Sequence, residues 1–255
     1  MDNFTLVNGQ VYTPGLAIVD APQPNTPLGG GRFYPSTCSR LPTNEPHVET
    51  LQVAIDVSGN GKLPWPPSTQ SADSPTLFHN ITLFLTSEAK SHNFTISNGT
   101  LPSINNTYVG PVLDLEPSST VKHVNWVWPE CLVGNGASGS DRGDYNISMH
   151  QSFRWNGTDY YTVFDLPIAV TNSIPKSSER VSCALLENKL LSESAIDESS
   201  DTLPGQPWVD SGASTSGDSN SSSDGSSSST SRGTRMSLQK MLVLVAVGTC
   251  TLLHW

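Results

Sequence analysis

Two runs of alternating apolar and polar residues, 144–155 and 159–171, flank the dipeptide Asn156-Gly157. Both turn residues accept positive φ, so the pair specifies a β-hairpin closed by a type I′ turn. Strand side chains alternate between faces. Tyr145, Ile147, Met149, Phe153 and Trp155 therefore share one side, and Asn146, Ser148 and His150 the other. On the returning strand, Tyr160, Thr162, Phe164 and Leu166 continue the apolar side. A helix would scatter this set around its circumference, because its period is 3.6 and not 2. Two long paired strands with one apolar face need a second apolar layer, which the rest of the chain must supply.

The other runs are of the same kind. Asn8-Gly9 divides residues 4–19 into a second hairpin, and the Pro- and Gly-rich residues 20–30 are expected to form a loop. From Thr50, Leu51, Val53, Ile55 and Val57 alternate with Gln52, Ala54 and Asp56, and Ser58-Gly59-Asn60-Gly61 ends the strand. Pro64, Pro66 and Pro67 keep any central strand from following it. Further strands are predicted over 79–86, with Ile81, Leu83 and Leu85 inward, and over 93–97, with Phe94 and Ile96 inward. Another covers 121–128, where Val124, Trp126 and Trp128 share a face. Only 177–191 shows a helical stripe, with Ser178 as its cap and Glu179 in its first turn. About seven short antiparallel strands punctuated by Pro and Gly predict an all-β fold, an immunoglobulin-like antiparallel β-sandwich over residues 1–176. Neither a tyrosine corner nor the Cys–Trp–Cys spacing of true immunoglobulin domains is visible in the sequence.

Residues 31–49 break the pattern. They have no period, contain Pro35, Pro42 and Pro46, and carry an isolated Cys38, which marks a functional loop or sequence foreign to the fold. Cys250 lies in an apolar tail, leaving Cys38, Cys131 and Cys183. Cys131 and Cys183 border the β region and are expected to pair, which would stabilise by about 4 kcal/mol in the chain-entropy model. The alternative is that Cys38 takes one of them.

Beyond an extension over 177–210, the C-terminal part reads as a disordered stalk over 211–235 followed by a hydrophobic attachment signal over 236–255. Of residues 211–231, 14 of 21 are Ser or Thr, too little apolar surface to offset the entropy of ordering. The apolar run 241–255 would span about 22 Å as a helix, against about 30 Å of hydrocarbon. A small-residue site, a polar spacer and a terminal apolar run match a glycosylphosphatidylinositol signal, with attachment at Ser226, Ser227, Ser228 or Ser229. Such an anchor requires passage into the secretory pathway. Because Met1-Asp2-Asn3-Phe4 has neither a basic nor an apolar region, a leader upstream of these residues is expected.

Eight Asn-x-Ser/Thr sequons agree with that route: Asn3, Asn80, Asn93, Asn98, Asn105, Asn146, Asn156 and Asn220. The formal net charge is −10, from 13 Lys plus Arg against 23 Asp plus Glu. Loss of Arg232, Arg235 and Lys240 with the tail would leave 10 cations against 23 acids, or −13. A surface of that sign repels nucleic acid and anionic lipid headgroups, so neither is expected as a partner.

Chemical motifs are weak throughout. Asp56-Val-Ser-Gly-Asn-Gly61 resembles the start of a calcium loop but has Pro67 where the bidentate Glu belongs, so it reads as a turn. Arg142-Gly143-Asp144 is a three-residue match of the kind chance supplies. His47, His79, His92, His123 and His150 lack metal-ligand spacing, and no cofactor motif is present. Asp114 with Glu116, or Asp159 with Asp165, could form a glycosidase pair, though nothing in the sequence ties either to a cleft. The aromatic set Trp126, Trp128, Trp155 and Tyr160, with Tyr161, is the one binding-like feature. It would be either a platform for sugar rings or simply core.

The runs Phe4-Thr-Leu-Val-Asn-Gly-Gln-Val-Tyr-Thr-Pro-Gly15, Val121-Lys-His-Val-Asn-Trp-Val-Trp-Pro-Glu-Cys131 and Tyr160-Tyr-Thr-Val-Phe-Asp-Leu-Pro167, with the Ser-rich end, resemble uncharacterised secreted or glycolipid-anchored surface glycoproteins of filamentous fungi. The resemblance covers most of 3–210 except 31–49, which it implies to be translated intron or another gene-assembly error. It carries no activity and no catalytic residues. The expectation is a non-enzymatic glycoprotein of the fungal cell surface or wall, monomeric, without cofactor, and held at the outer leaflet by its lipid. A carbohydrate-binding module for wall glucan or chitin is the alternative, and a wall-modifying enzyme with an unrecognised site is a third reading.

Overall fold

The computed structural model describes residues 4–30, 49–63, 71–99, 107–136, 139–201 and Pro207. Outside them lie the 31–48 segment with Cys38, the sequons Asn3, Asn105 and Asn220, the Ser-rich stretch with Ser226–229, and the apolar tail.

The described residues are mostly β. The first sheet has the order β1 (Thr5–Val7), β2 (Gln10–Tyr12), β3 (Ile18–Ala21), β5 (Thr50–Asp56) and β8 (Val121–Val127), all antiparallel. The second has the order β4 (Thr26–Leu28), β10 (Thr158–Val170), β9 (Gly143–Trp155), β6 (Leu77–Ser87) and β7 (His92–Ser97). It is mixed, because β4 runs parallel to the end of β10. One apolar cluster draws on both sheets. Val53, Ile55, Val124 and Trp126 come from the first, and Leu83, Leu85, Ile147 and Phe164 from the second.

Register follows the apolar alternation. Val53 faces Val124 and Leu51 faces Trp126, while Leu83 faces Met149 and Leu85 faces Ile147. A slip of one residue would turn each set to the wrong face. Both Asn-Gly turns have the positive φ that the type I′ geometry requires: Asn8 51° and Gly9 83°, Asn156 50° and Gly157 82°. Lys122 is an exception on an apolar face. It is buried opposite Ile55, and its Nζ donates to the carbonyls of Leu115 and Glu116.

Three expectations need correction. The loop at 20–30 contains β4, which tolerates Pro27 because it is an edge strand and so has a side with no ladder bond to lose. Residues 177–191 are not helical. A bond from the Glu130 amide to the Val181 carbonyl, Arg180 Nη1 on the Trp128 carbonyl and the Cys131–Cys183 disulfide hold them on a non-helical path, with a turn at Ser178-Glu179 and a 3-10 turn at Cys183–Leu185. The helix, α1 (Glu193–Ser199), lies further on, where Ser192 accepts a capping bond from the Ala195 amide. Finally, Tyr145 Oη donates to the Asp141 carbonyl four residues back, near the start of β9, which is a tyrosine corner that sequence spacing did not reveal.

Trp126 and Trp128 are 2% and 1% exposed and stack edge to face at 6.0 Å. They belong to the core and cannot form a sugar platform, because their strand alternation turns them inward with Val124. The Cys131–Cys183 pairing is present.

Candidate functional site

The outer face of the second sheet carries Asn146, Ser148 and His150, and it is not open. From Leu186 to Asp201 the chain crosses it as a strap, tied to both edges. At the β7 edge, the Thr95 amide donates to the Leu186 carbonyl at 2.9 Å and the Asn188 amide to the Asn93 carbonyl at 2.8 Å. Asn188 Nδ2 donates to Thr95 Oγ1 at 2.8 Å, and Asn93 Nδ2 donates to the Lys189 carbonyl at 3.0 Å. At the β10 edge, the Tyr161 amide donates to Asp201 Oδ2 at 2.7 Å, the Asp201 amide returns to the Tyr161 carbonyl at 2.7 Å, and the Val163 amide donates to Ser200 Oγ at 3.0 Å. Side chains thus satisfy backbone donors that an edge strand would otherwise leave open.

Between strap and sheet lies a cavity of about 780 Å³, within the usual size range of small-ligand sites, about 300–1,000 Å³. Its floor is three cross-strand rows. Thr86, Asn146 and Pro167 form the first, Phe84, Ser148 and Asp165 the second, and Thr82 with His150 the third. Leu190, Leu191 and Ile196 of the strap supply an apolar roof, and Asn93, Asn188 and Lys189 line one side.

His150 organises the floor. Its Nδ1 is 2.5 Å from Tyr161 Oη and its Nε2 is 3.3 Å from Ser148 Oγ. The rings of Phe84 and Tyr161 approach it edge to face at 5.0 and 5.8 Å. Burial pushes its pKa down to about 4 and raises that of Tyr161. The imidazole is therefore neutral at pH 7 and has one N–H, so one hydroxyl donates to it while the other accepts. Serine and histidine at this distance look like a nucleophile and its base. However, the third group is a phenol that cannot stabilise an imidazolium, and a base with pKa near 4 is poorly matched to neutral pH.

The other candidates are spread out. Trp155 and Tyr160 are half-buried, and Tyr160 stacks on Phe153 at 5.7 Å with its ring turned toward the core. Tyr161, grouped with them, instead reaches the groove. Asp159 is held by Arg154, with Nε–Oδ1 2.8 Å and Nη2–Oδ2 3.2 Å, and by His79 at 2.9 Å. Asp159 and Asp165 lie six residues apart on one strand, about 20 Å, beyond the separation a glycosidase pair uses. Glu116 is engaged by His123 at 2.9 Å, which lowers its pKa. Asp56 Oδ1 accepts the Ser58 amide at 2.6 Å in a tight turn, and Arg142 is buried on the carbonyls of Gly134 and Asn172. Arg142 is therefore not displayed beside Asp144. Among the described residues no three His, Cys, Asp or Glu side chains could jointly hold a metal ion.

Of the described sequons, Asn156 is exposed at its turn, while Asn80, Asn93, Asn98 and Asn146 are half-buried. Asn93 and Asn146 line the cavity. The strap residues that complete the site, Asn188, Ser200 and Asp201, have no local signal in the sequence, because their partners lie 37–95 positions away. No protein-family model, curated protein or solved structure matches this chain.

Proposed function

We propose that this chain is a non-enzymatic glycoprotein displayed at the surface or in the wall of a filamentous fungus, attached to the outer leaflet by a glycosylphosphatidylinositol anchor, and that its folded part is a binding domain. The observation that carries the binding role is the roofed groove on the second sheet, pre-formed and lined by apolar side chains together with hydroxyl, amide and carboxylate groups. The finer reading of the fold is an immunoglobulin-like sandwich. It is supported by the strand orders, by the apolar cluster common to both sheets, and by the Tyr145 corner at the start of β9. Ile147 stands two residues after that tyrosine, where antibody domains have a cysteine, so apolar packing takes the place of the inter-sheet bridge.

The Ser-rich tract, the terminal apolar run and the sequons support surface display. Phosphatidylinositol-specific phospholipase applied to cells expressing the full chain behind a secretory leader should release it, and mass spectrometry should find a C-terminus at one of Ser226–229. A chain that stays cell-bound, or that retains residues 241–255, would overturn the anchored reading. A carbohydrate-binding module for wall glucan or chitin is favoured as the second reading by the hydroxyl and amide groups on the groove floor.

A further inference from the structure

We propose that the groove is a saccharide site, taking a short uncharged sugar chain between the Phe84–Ser148–Asp165 floor and the Leu190–Leu191 roof. This rests on reading the groove as a binding site and names its ligand class.

The lining decides between chemistries. An anion would face Asp144, Asp165 and Glu88 with only Lys189 to attract it. A purely apolar molecule would strip water from Thr82, Thr86, Asn146 and Ser148 without replacing their hydrogen bonds, which is unfavourable for each group left unpaired. A neutral pyranose suits both parts of the lining. Its hydroxyls donate to and accept from amides and side-chain hydroxyls, and its C–H faces pack on the rings of Phe84 and Tyr161. On the strap side, the Asn93 side-chain amide is held by its bond to the Lys189 carbonyl at 3.0 Å. His150 is held by Tyr161 and Ser148, so the aromatic part of the floor is fixed in place.

The same chemistry has two sources. One is a free oligosaccharide. The other is a glycan on Asn146, whose sequon Asn146-Ile147-Ser148 lies on the floor itself, so that a sugar joined to its amide nitrogen would start inside the cavity.

The test uses the full chain behind a secretory leader, made once in a eukaryotic secretory host and once in a bacterial periplasm that adds no N-glycans, titrated calorimetrically with chitobiose, laminaribiose and a glucuronic acid disaccharide. A neutral disaccharide should bind the unglycosylated chain. Phe84→Ala and, on the exposed roof, Leu191→Arg should each weaken binding at least tenfold without shifting the melting temperature beyond a few degrees. If the glycosylated chain binds equally, the ligand is a free saccharide. If it binds only after enzymatic deglycosylation, its own glycan occupies the groove. The proposal is overturned if the folded unglycosylated chain binds neither neutral disaccharide, binds only the anionic one, or binds with no loss on Phe84→Ala and Leu191→Arg. Phospholipase release of the same chain is scored separately. A released chain without sugar binding sinks this inference alone, and sugar binding by an unreleased chain sinks only the anchored reading.

Discussion

Gln151 shows how a single residue can tie two layers together. It has no solvent exposure, accepts the Ala17 amide at 2.9 Å through Oε1 and donates to Thr13 Oγ1 at 2.8 Å through Nε2, so a strand of the second sheet is joined to the loop between β2 and β3. Gly15 is required beneath it, since a Cβ there would sit 2.5 Å from the Gln151 side chain. Gln151→Leu leaves the Ala17 amide buried without its acceptor and should cost about 1–3 kcal/mol in a urea titration. A loss under about 0.5 kcal/mol would show that the link contributes nothing. His150 gives a pH signature. Its folded pKa, about 4, lies below the ordinary value near 6.5, so the fold favours the neutral ring. Stability from this group is complete above pH 6.5 and is lost as pH falls toward 4, by up to about 3 kcal/mol. Relative to wild type, His150→Gln should therefore flatten the fall in unfolding free energy between pH 7 and pH 4.5. Parallel curves would disprove it. Neither residue was legible by pattern. Gln151 is polar on an otherwise apolar face, and His150 occupies a position that alternation assigns to solvent.

At the scale of elements, the hairpins were readable and the strap was not. Alternation with Asn-Gly gave β9–β10 nearly to the residue and the β1–β2 turn, though the arm after that turn is split into β2 and β3, because turn chemistry and pleat are local. β4 escaped because Pro and Gly dominate its neighbourhood, and only its distant partner β10 makes it a strand. The misplaced helix has the same cause. Residues 177–191 have a loose helical stripe, but the disulfide and the backbone bonds to Thr95 and Glu130 outweigh so weak a local preference. The latch at the β10 edge is open to direct test. Ser200→Ala with Asp201→Ala removes the acceptors of the Val163 and Tyr161 amides. Hydrogen exchange at those two amides should accelerate at least tenfold, while the β9 amides facing β6 keep their protection. Unchanged exchange would mean that packing of α1 alone holds the strap.

For the molecule as a whole, the Cys131–Cys183 bridge closes a separation of 52 residues, from the end of the first sheet's last strand to the foot of the strap. Its loss removes a constraint on the unfolded chain worth about 4 kcal/mol in the entropic model. Cys131→Ser with Cys183→Ser should lower unfolding free energy by about 2–4 kcal/mol, read from a denaturant midpoint at constant slope. A change below about 1 kcal/mol would show that the bridge does not restrict the unfolded chain as that model requires.

By itself, the sequence determined the class of fold, the turns and the facing of most strands, since each depends on a period of two or a positive φ, and it favoured Cys131 with Cys183 while leaving Cys38 open as a partner. The tertiary structure alone decided which aromatic residues were core and which reached a surface, and it placed Tyr161 rather than Trp126 at the groove. It also converted a face that alternation marks as wet into the floor of a covered cavity. The physical reason is that burial of an outer face depends on what the chain lays across it from tens of residues away, and no periodicity within the strand records that.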